Sequence, residues 1–415
     1  MVDRWVHGTP MRILFVNHTA ASSGAELALM RLIEALRQGH EVALACPAHG
    51  PLADQANAAG IPRFRVPAFE ASMRLHPYHT PVGLARLVAG GVKLARVASR
   101  FQADLLHANT TRAGLMGSIA VRLGGPPVVV RAHEVVPISI AVGRGVRDVL
   151  TRSAGAVVAV SEDIAQRFND GLPRPFATHV YNSFDRSRFD PSTVPPAPVR
   201  EELGIAPDAP LLAQIAQISP WKAQDTSIRA LAELRRAGLD AHLLVVGEVS
   251  FSGPTFYDNP AYHRGLHELV DQLDLGEAVH FLGHRTDVPG ILAAIDLSLL
   301  PSWDEPFANV MLESMAMGTP LLVSEVGGAS ELVEDGRSGR LLPPKSPQLW
   351  AAAARQLLTD RAALARMGEH ALQATGRFND EAHARDMLAV YARVLGASQP
   401  VPVPEERPKE AAWPG

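Results

Sequence analysis

The sequence predicts an α/β protein built from two doubly wound parallel-sheet domains. Strands rich in branched residues alternate with helical patterns, the alternation breaks once, and it then restarts. Repeated strand–helix–strand units build a parallel sheet covered on both faces, so the strands read as continuous apolar runs.

The first-half strands are MRILFVNH (11–18), EVALACP (41–47), DLLHAN (104–109), PVVVRAHE (127–134) and AVVAVS (156–161), with a helix expected from Glu26 to Gln38. The break is DRSRFDPSTVPPAPVREELGIAPDAP (185–210), whose prolines suit an extended connection. The rhythm restarts with PLLAQIAQI (210–218), a helix from Asp225 to Ala237, AHLLVVGE, AVHFLGH, LSLLPS, TPLLVSE and GRLLPP. Helices over Gln348–Leu358, Arg361–Thr375 and Glu381–Leu395 finish the fold. The expected domains are residues 11–190, completed by a returning helix at about 378–396, and residues 211–377, with a linker at 191–210. Residues 397–415, proline-rich and polar, read as a disordered tail. Doubly wound sheets bind ligands beyond the carboxyl ends of their strands, so two such domains face each other across a cleft.

The 415 residues are 47% hydrophobic and 20% charged, enough apolar content for two cores. The apolar runs are far shorter than the ~20 residues of a spanning helix, and the first ten residues lack a signal peptide's apolar core. A cytoplasmic protein is therefore expected. The single cysteine, Cys46, excludes an internal disulfide, and no Cys or His cluster has zinc-ligand spacing. Residues 1–190 carry 21 Lys+Arg against 14 Asp+Glu, whereas the remainder carries 18 against 29. A basic front half suits an anionic partner, such as phosphate or the inner face of the cell membrane met peripherally. A pI near 6.5 argues against a general nucleic-acid binder.

The most informative stretch is WDEPFANVMLESMAMGTP (303–320), directly after the strand LSLLPS. Glu305 and Glu313 bracket a helix start, with Pro306 stiffening the entry and Asn309 placed as N-cap. On one helix, eight residues would turn them roughly 80° apart, so they need not share a face. A loop carboxylate and a helical carboxylate can grip different parts of one ligand, and the amides of Phe307, Ala308 and Asn309 suit anionic oxygens. Spacing alone equally permits a helix with a solvated glutamate on each side.

E-P-F-x(5)-E, followed by S-M-A-M-G-T-P and V-G-G-x-x-E, resembles the donor-binding signature of retaining glycosyltransferases of family four (glycosyltransferase group 1), which have the GT-B fold. The resemblance covers nearly the whole second domain and, more weakly, the first. It implies that Glu305 contacts hydroxyls of the transferred sugar, that the Phe307, Ala308 and Asn309 amides hold sugar and phosphate oxygens, and that Glu313 binds the ribose hydroxyls. Lys222, in QISPWKAQD (217–225), would neutralise a diphosphate leaving group; a surface lysine is its alternative. The family usually reads G-R-x(4)-K-G here, whereas this chain has Ala216, Gln217, Lys222 and Ala223. The arginine is absent, so either another basic residue compensates or Gln217 supplies only a neutral donor.

In the first domain, the turn around Gly24 in NHTAASSGAELAL (17–29) lets backbone approach a diphosphate or an acceptor, although any βαβ unit needs a tight turn there. His133 resembles the family histidine that reaches the donor sugar; a structural histidine at a strand end is the alternative. Asn182, in VYNSFD, matches an asparagine near the domain junction and reads as structural. His284 and Arg285 occupy the loop that in relatives lies against the nucleobase. Glu331 reads either as capping a helix at the cleft or as a solvated helix-start residue. The stretch Gly83–Arg100 mixes Leu and Val with Arg86, Lys93, Arg96 and Arg100 and suits anionic lipid or, more simply, ordinary packing.

The expected reaction is transfer of a sugar, with retention, from a nucleotide-diphosphate sugar to a cell-envelope, lipid-linked or polysaccharide acceptor. No cofactor and no metal are expected, since the chain has no D-x-D tripeptide and Lys222 with helix amides can serve the diphosphate. The alternatives are a GT-B relative with phosphorylase or epimerase chemistry, and a nucleotide-sugar-binding protein whose catalysis left with the arginine.

Overall fold

The computed structural model describes residues 10–21, 23–68, 79–249 and 258–396, so the expected tail at 397–415 lies outside the described residues. The first sheet comprises β1 Arg12–Val16, β2 Glu41–Cys46, β3 Arg63–Arg65, β4 Leu105–Ala108, β5 Val128–Ala132, β6 Ala156–Ala159 and β7 Ala177–His179. Its strands run in the order β3-β2-β1-β4-β5-β6-β7. The second comprises β8 Leu211–Ile215, β9 His242–Val246, β10 Val279–Gly283, β11 Leu297–Leu300, β12 Leu321–Ser324 and β13 Arg340–Leu342, ordered β10-β9-β8-β11-β12-β13. Every pairing between these strands is parallel. The chain therefore folds as the two doubly wound sheets that its alternation predicts.

Both faces of each sheet are buried, as the continuous apolar runs require. Ile13 and Phe15 of β1 pack into one core, Leu14 and Val16 into another on the opposite face. One of these cores continues between the domains, from Leu106 and Val130 through Phe184 to Leu312 and Met315. The sequence pattern does not reveal strands β3 and β7. Each has three residues at a sheet edge, too few to show an apolar run.

The segment 185–210 is not simply extended. It carries a helical turn, Val199–Glu202, and lies docked along the second domain: Ala197 N–H donates to Gly290 O at 2.8 Å, and Arg200 pairs with Asp296 at 3.1 Å. The last helix, Asp380–Val394, returns to the first sheet, where Met387, Val390 and Tyr391 join the core around β1. The Tyr391 hydroxyl lies 2.6 Å from Nδ1 of His107 on β4.

The helix His79–Phe101 packs its second half, Leu94, Val97 and Ala98, into the core. Gly90 and Gly91, which weaken a free helix, are where it meets the helix Thr111–Arg122: a β-carbon on Gly91 would fall 2.5 Å from Ile119 Cβ. Its first half leaves Val82, Leu84 and Val88 exposed. Among the described residues no helix is long and apolar enough to cross a membrane.

Candidate active site

Strand order reverses direction between β1 and β4 in the first sheet and between β8 and β11 in the second. These are the points where loops diverge to opposite faces and leave a crevice beyond the strand ends. The loop after β8 carries Lys222 and the loop after β11 carries Glu305, and the fold brings the two together. Lys222 Nζ lies 2.5 Å from Glu305 Oε2, with side chains 18% and 5% exposed. Ser302 Oγ donates to the same carboxylate oxygen at 2.9 Å.

Lys222 ends the short 3-10 turn Pro220–Lys222, and its carbonyl accepts from Gln214 Nε2 at 2.6 Å. Gln214 is itself fixed by Ser227 Oγ at 2.7 Å. A buried amide in the middle of the apolar run LLAQI was the available sign of this support. Gln217 is held through its carbonyl, which accepts from Gln224 Nε2 at 2.9 Å.

The helix after the β11 loop spans Asn309–Ala316. Ala308, not Asn309, occupies the N-cap, and no side chain caps this helix. The Asn309 side chain is drawn away to the facing domain: its Nδ2 donates to Gly24 O at 3.0 Å, and its Oδ1 accepts from Asn182 Nδ2 at 3.3 Å. Among the described residues the amides of Phe307, Ala308 and Asn309 donate to no protein acceptor, so three N–H groups remain available at a positive helix end. Gly327 and Gly328 brace this loop from below. Gly327 adopts φ +57°, a β-carbon there would fall 2.0 Å from Glu305 O, and Gly328 N–H donates to that carbonyl at 3.2 Å.

Glu313 is half-buried on the helix. Burial pushes its carboxyl up to about 7, outweighing the opposing pull of Arg31 and Arg188. The Gly24 turn carries an anion of its own. The Glu26 carboxylate accepts from Ser23 N–H at 3.0 Å and from Asn17 Nδ2 at 3.0 Å, so a phosphate brought there meets a carboxylate already at the helix end.

His133 lies at the end of β5 with Nε2 3.2 Å from Asn109 Oδ1. Asn109 spends its own amide hydrogens on Asn17 Oδ1 and Ala25 O, so the ring donates through Nε2. Burial, then Arg131 and His107, hold this histidine well below its ordinary value, and the imidazole is neutral. Asn182 does more than brace a junction. Its Oδ1 accepts from fully buried Arg131 at 2.9 Å, so Arg131, Asn182, Asn309 and Gly24 form one hydrogen-bonded chain between the domains. Arg285 is not brought to the Lys222–Glu305 pair by any of its contacts; its guanidinium binds Asp287 at 2.7 Å and Glu202 at 3.1 Å.

Two family models match the chain: "Glycosyl transferases group 1" over residues 197–374 and "Glycosyltransferase Family 4" over residues 22–188. A D-inositol 3-phosphate glycosyltransferase of Nocardia farcinica is 32% identical over 310 residues, spanning 70% of this chain and 67% of that one. The chain belongs to the group 1, family 4 glycosyltransferases. A second D-inositol 3-phosphate glycosyltransferase, from Stackebrandtia nassauensis, is 30% identical over 70% of this chain and 68% of its own. Among solved structures, Anabaena HepE in complex with UDP and glucose is 26% identical, covers 92% of this chain and 99% of its own, and has a TM-score of 0.78. A sucrose-phosphate synthase from Thermosynechococcus elongatus, 22% identical with a TM-score of 0.75, shares the fold. This glycosyltransferase therefore has the GT-B architecture, and Lys222 and Glu305 lie in the domain matched by the group 1 model.

Proposed function

We propose that the enzyme transfers a hexosyl group from a UDP-sugar, with retention and without a metal, to a hydroxyl of a cell-envelope, lipid-linked or polysaccharide acceptor. The observation that carries this reading is the Lys222–Glu305 pair beside three unengaged amides. It is supported by the likeness to HepE, which has been solved with UDP-glucose.

A diphosphate entering the crevice offers Lys222 a stronger anionic partner than Glu305. The lysine and the amides of Phe307, Ala308 and Asn309 then take the charge that grows as the nucleoside diphosphate departs, the task a metal performs elsewhere. Glu305, released from the lysine and still held by Ser302, accepts from the sugar hydroxyls. Glu313 does the same for the ribose diol once ionised. His133, neutral, orients the sugar by hydrogen bonding and carries no charge against the cationic ring. The acceptor hydroxyl attacks on the face the leaving group vacates, and a diphosphate oxygen takes its proton, so no protein nucleophile is needed. Gln217 contributes at most a neutral hydrogen bond where an arginine would add charge.

The exposed Val82, Leu84 and Val88 with Arg86, Lys93, Arg96 and Arg100 support peripheral contact with anionic lipid through the first domain, at the inner face of the membrane.

The test is proton NMR of UDP-glucose incubated with enzyme and an acceptor pool that includes inositol 3-phosphate, the substrate named for its relatives. An α-linked product appearing with UDP supports the reading; a β-linked first product overturns retention.

A further inference from the structure

We infer that Glu331 is a positioning residue that holds the donor loop in place by clasping a helix of the opposite domain. Glu331 is the last residue of V-G-G-x-x-E, and it touches none of the proposed donor groups. Its carboxylate crosses the cleft instead, accepting from Glu162 N–H at 2.8 Å and Asp163 N–H at 2.9 Å. These are the first two residues of the helix Glu162–Asn169, whose leading N–H groups have no partner within the helix. A carboxylate is favoured there by the positive helix end as well as by the two hydrogen bonds. Arg377 donates to the Glu331 carbonyl at 2.9 Å.

The same helix holds the donor loop a second time. Arg167 pairs with Asp163 at 2.8 Å and with Asp304 at 3.0 Å, and Asp304 precedes Glu305. Its N-cap residue, Ser161, abuts Gly328, where a β-carbon would fall 2.8 Å from Ser161 Cβ and 2.7 Å from Pro306 O. Gly328 in turn donates to Glu305 O at 3.2 Å. An unbroken line of contacts thus runs from the first-domain helix through Glu331 and the two glycines to the backbone of Glu305. Closure of the domains fixes the loop that presents the carboxylate and the free amides; opening releases it. The consequence for turnover rests on the donor-site reading above, but the geometry can be tested without any donor.

The experiment is hydrogen exchange resolved to single amides on the full chain, comparing wild type with Glu331→Gln and Glu331→Ala. Both variants should exchange faster at Glu162 and Asp163 and, by about tenfold, at Gly328 and Met311, whose N–H groups bond Glu305 O and Ala308 O. Val245, central in β9, should be unaffected. Acceleration confined to Glu162 and Asp163, or none at all, overturns the inference, because Glu331 would then be only a helix cap or no partner at all. If the alanine variant fails to fold, Glu331→Gln, which keeps one accepting oxygen, carries the same comparison.

Discussion

Separating Lys222 from Glu305 should expose an asymmetry that the geometry dictates. At 2.5 Å and an effective dielectric of about 20, their attraction is about 6–7 kcal/mol. Desolvation of the two ions offsets most of this, so the intact pair adds little net stability. Removing one partner leaves the other charge stranded, at about 3–5 kcal/mol in a buried site. Glu305, 5% exposed, is too short to swing its carboxylate out into water, whereas Lys222, 18% exposed, can turn its ammonium outward. Lys222→Met should therefore cost about 3–4 kcal/mol and Glu305→Gln about 1–2 kcal/mol. At about 2–4 °C per kcal/mol for domains of this size, the expected drops in Tm are roughly 6–16 °C and 2–8 °C. The double variant removes both charges and should return to within about 1 kcal/mol of wild type, a coupling of at least about 3 kcal/mol. Urea melts of the four proteins measure this directly. Single variants within 0.5 kcal/mol of wild type and additive in the double would refute the reasoning, since the pair would then be solvated. Stability and activity should part company in the double variant, which should fold normally yet lose about 10²–10³ in kcat.

Three further expectations follow from single residues. Glu313, pushed up from 4.5 to about 7, binds its proton more tightly folded than unfolded, so wild-type stability should fall as pH rises from about 4.5 through 7. Glu313→Gln should flatten that fall and be more stable by about 3 kcal/mol at pH 8; parallel urea-melt profiles for the two proteins would contradict this. Gly327→Ala forces a β-carbon to within 2.0 Å of Glu305 O at a φ of +57°, so it should lower Tm by several degrees and abolish UDP binding, measured by calorimetry. Asn182→Ala removes one acceptor from buried Arg131 and cuts the link to Asn309, which should cost about 1.5–3 kcal/mol in denaturant melts. A loss under 0.5 kcal/mol would mean that water replaces the amide.

The alternation of apolar runs made both sheets legible because parallel strands buried on two faces leave an unmistakable pattern. It failed at Arg63–Arg65 and Ala177–His179, where three-residue edge strands carry charge or polarity and no run. Glu305, Glu313 and Lys222 could be picked out as chemistry-bearing residues beside strand ends. Their pairing could not, because it depends on how the loops after β8 and β11 diverge. The residues that hold the site were the least visible. Ser302 and Gln214 are ordinary polar residues until the fold buries them, and Asn309 sits where an N-cap belongs. The contacts between the domains, Asn309 with Gly24, Arg167 with Asp304, and Glu331 with Glu162 and Asp163, join residues 137 to 285 positions apart, beyond any local pattern. V-G-G-x-x-E marks Gly327 and Gly328 as part of a motif, and the structure supplies their reason in the carbonyls of Glu305 and Pro306 packed against them.

The central claim is that a nucleotide diphosphate takes the place of Glu305 as the partner of Lys222. Calorimetric titration of UDP and UDP-glucose into wild type and into the stable Lys222→Met/Glu305→Gln double variant tests it most directly. Wild type should bind both ligands, and the double variant should bind each at least about 30-fold more weakly, as expected for the loss of a charge-assisted contact. Equal affinity in the two proteins, or no binding by wild type, would contradict the account.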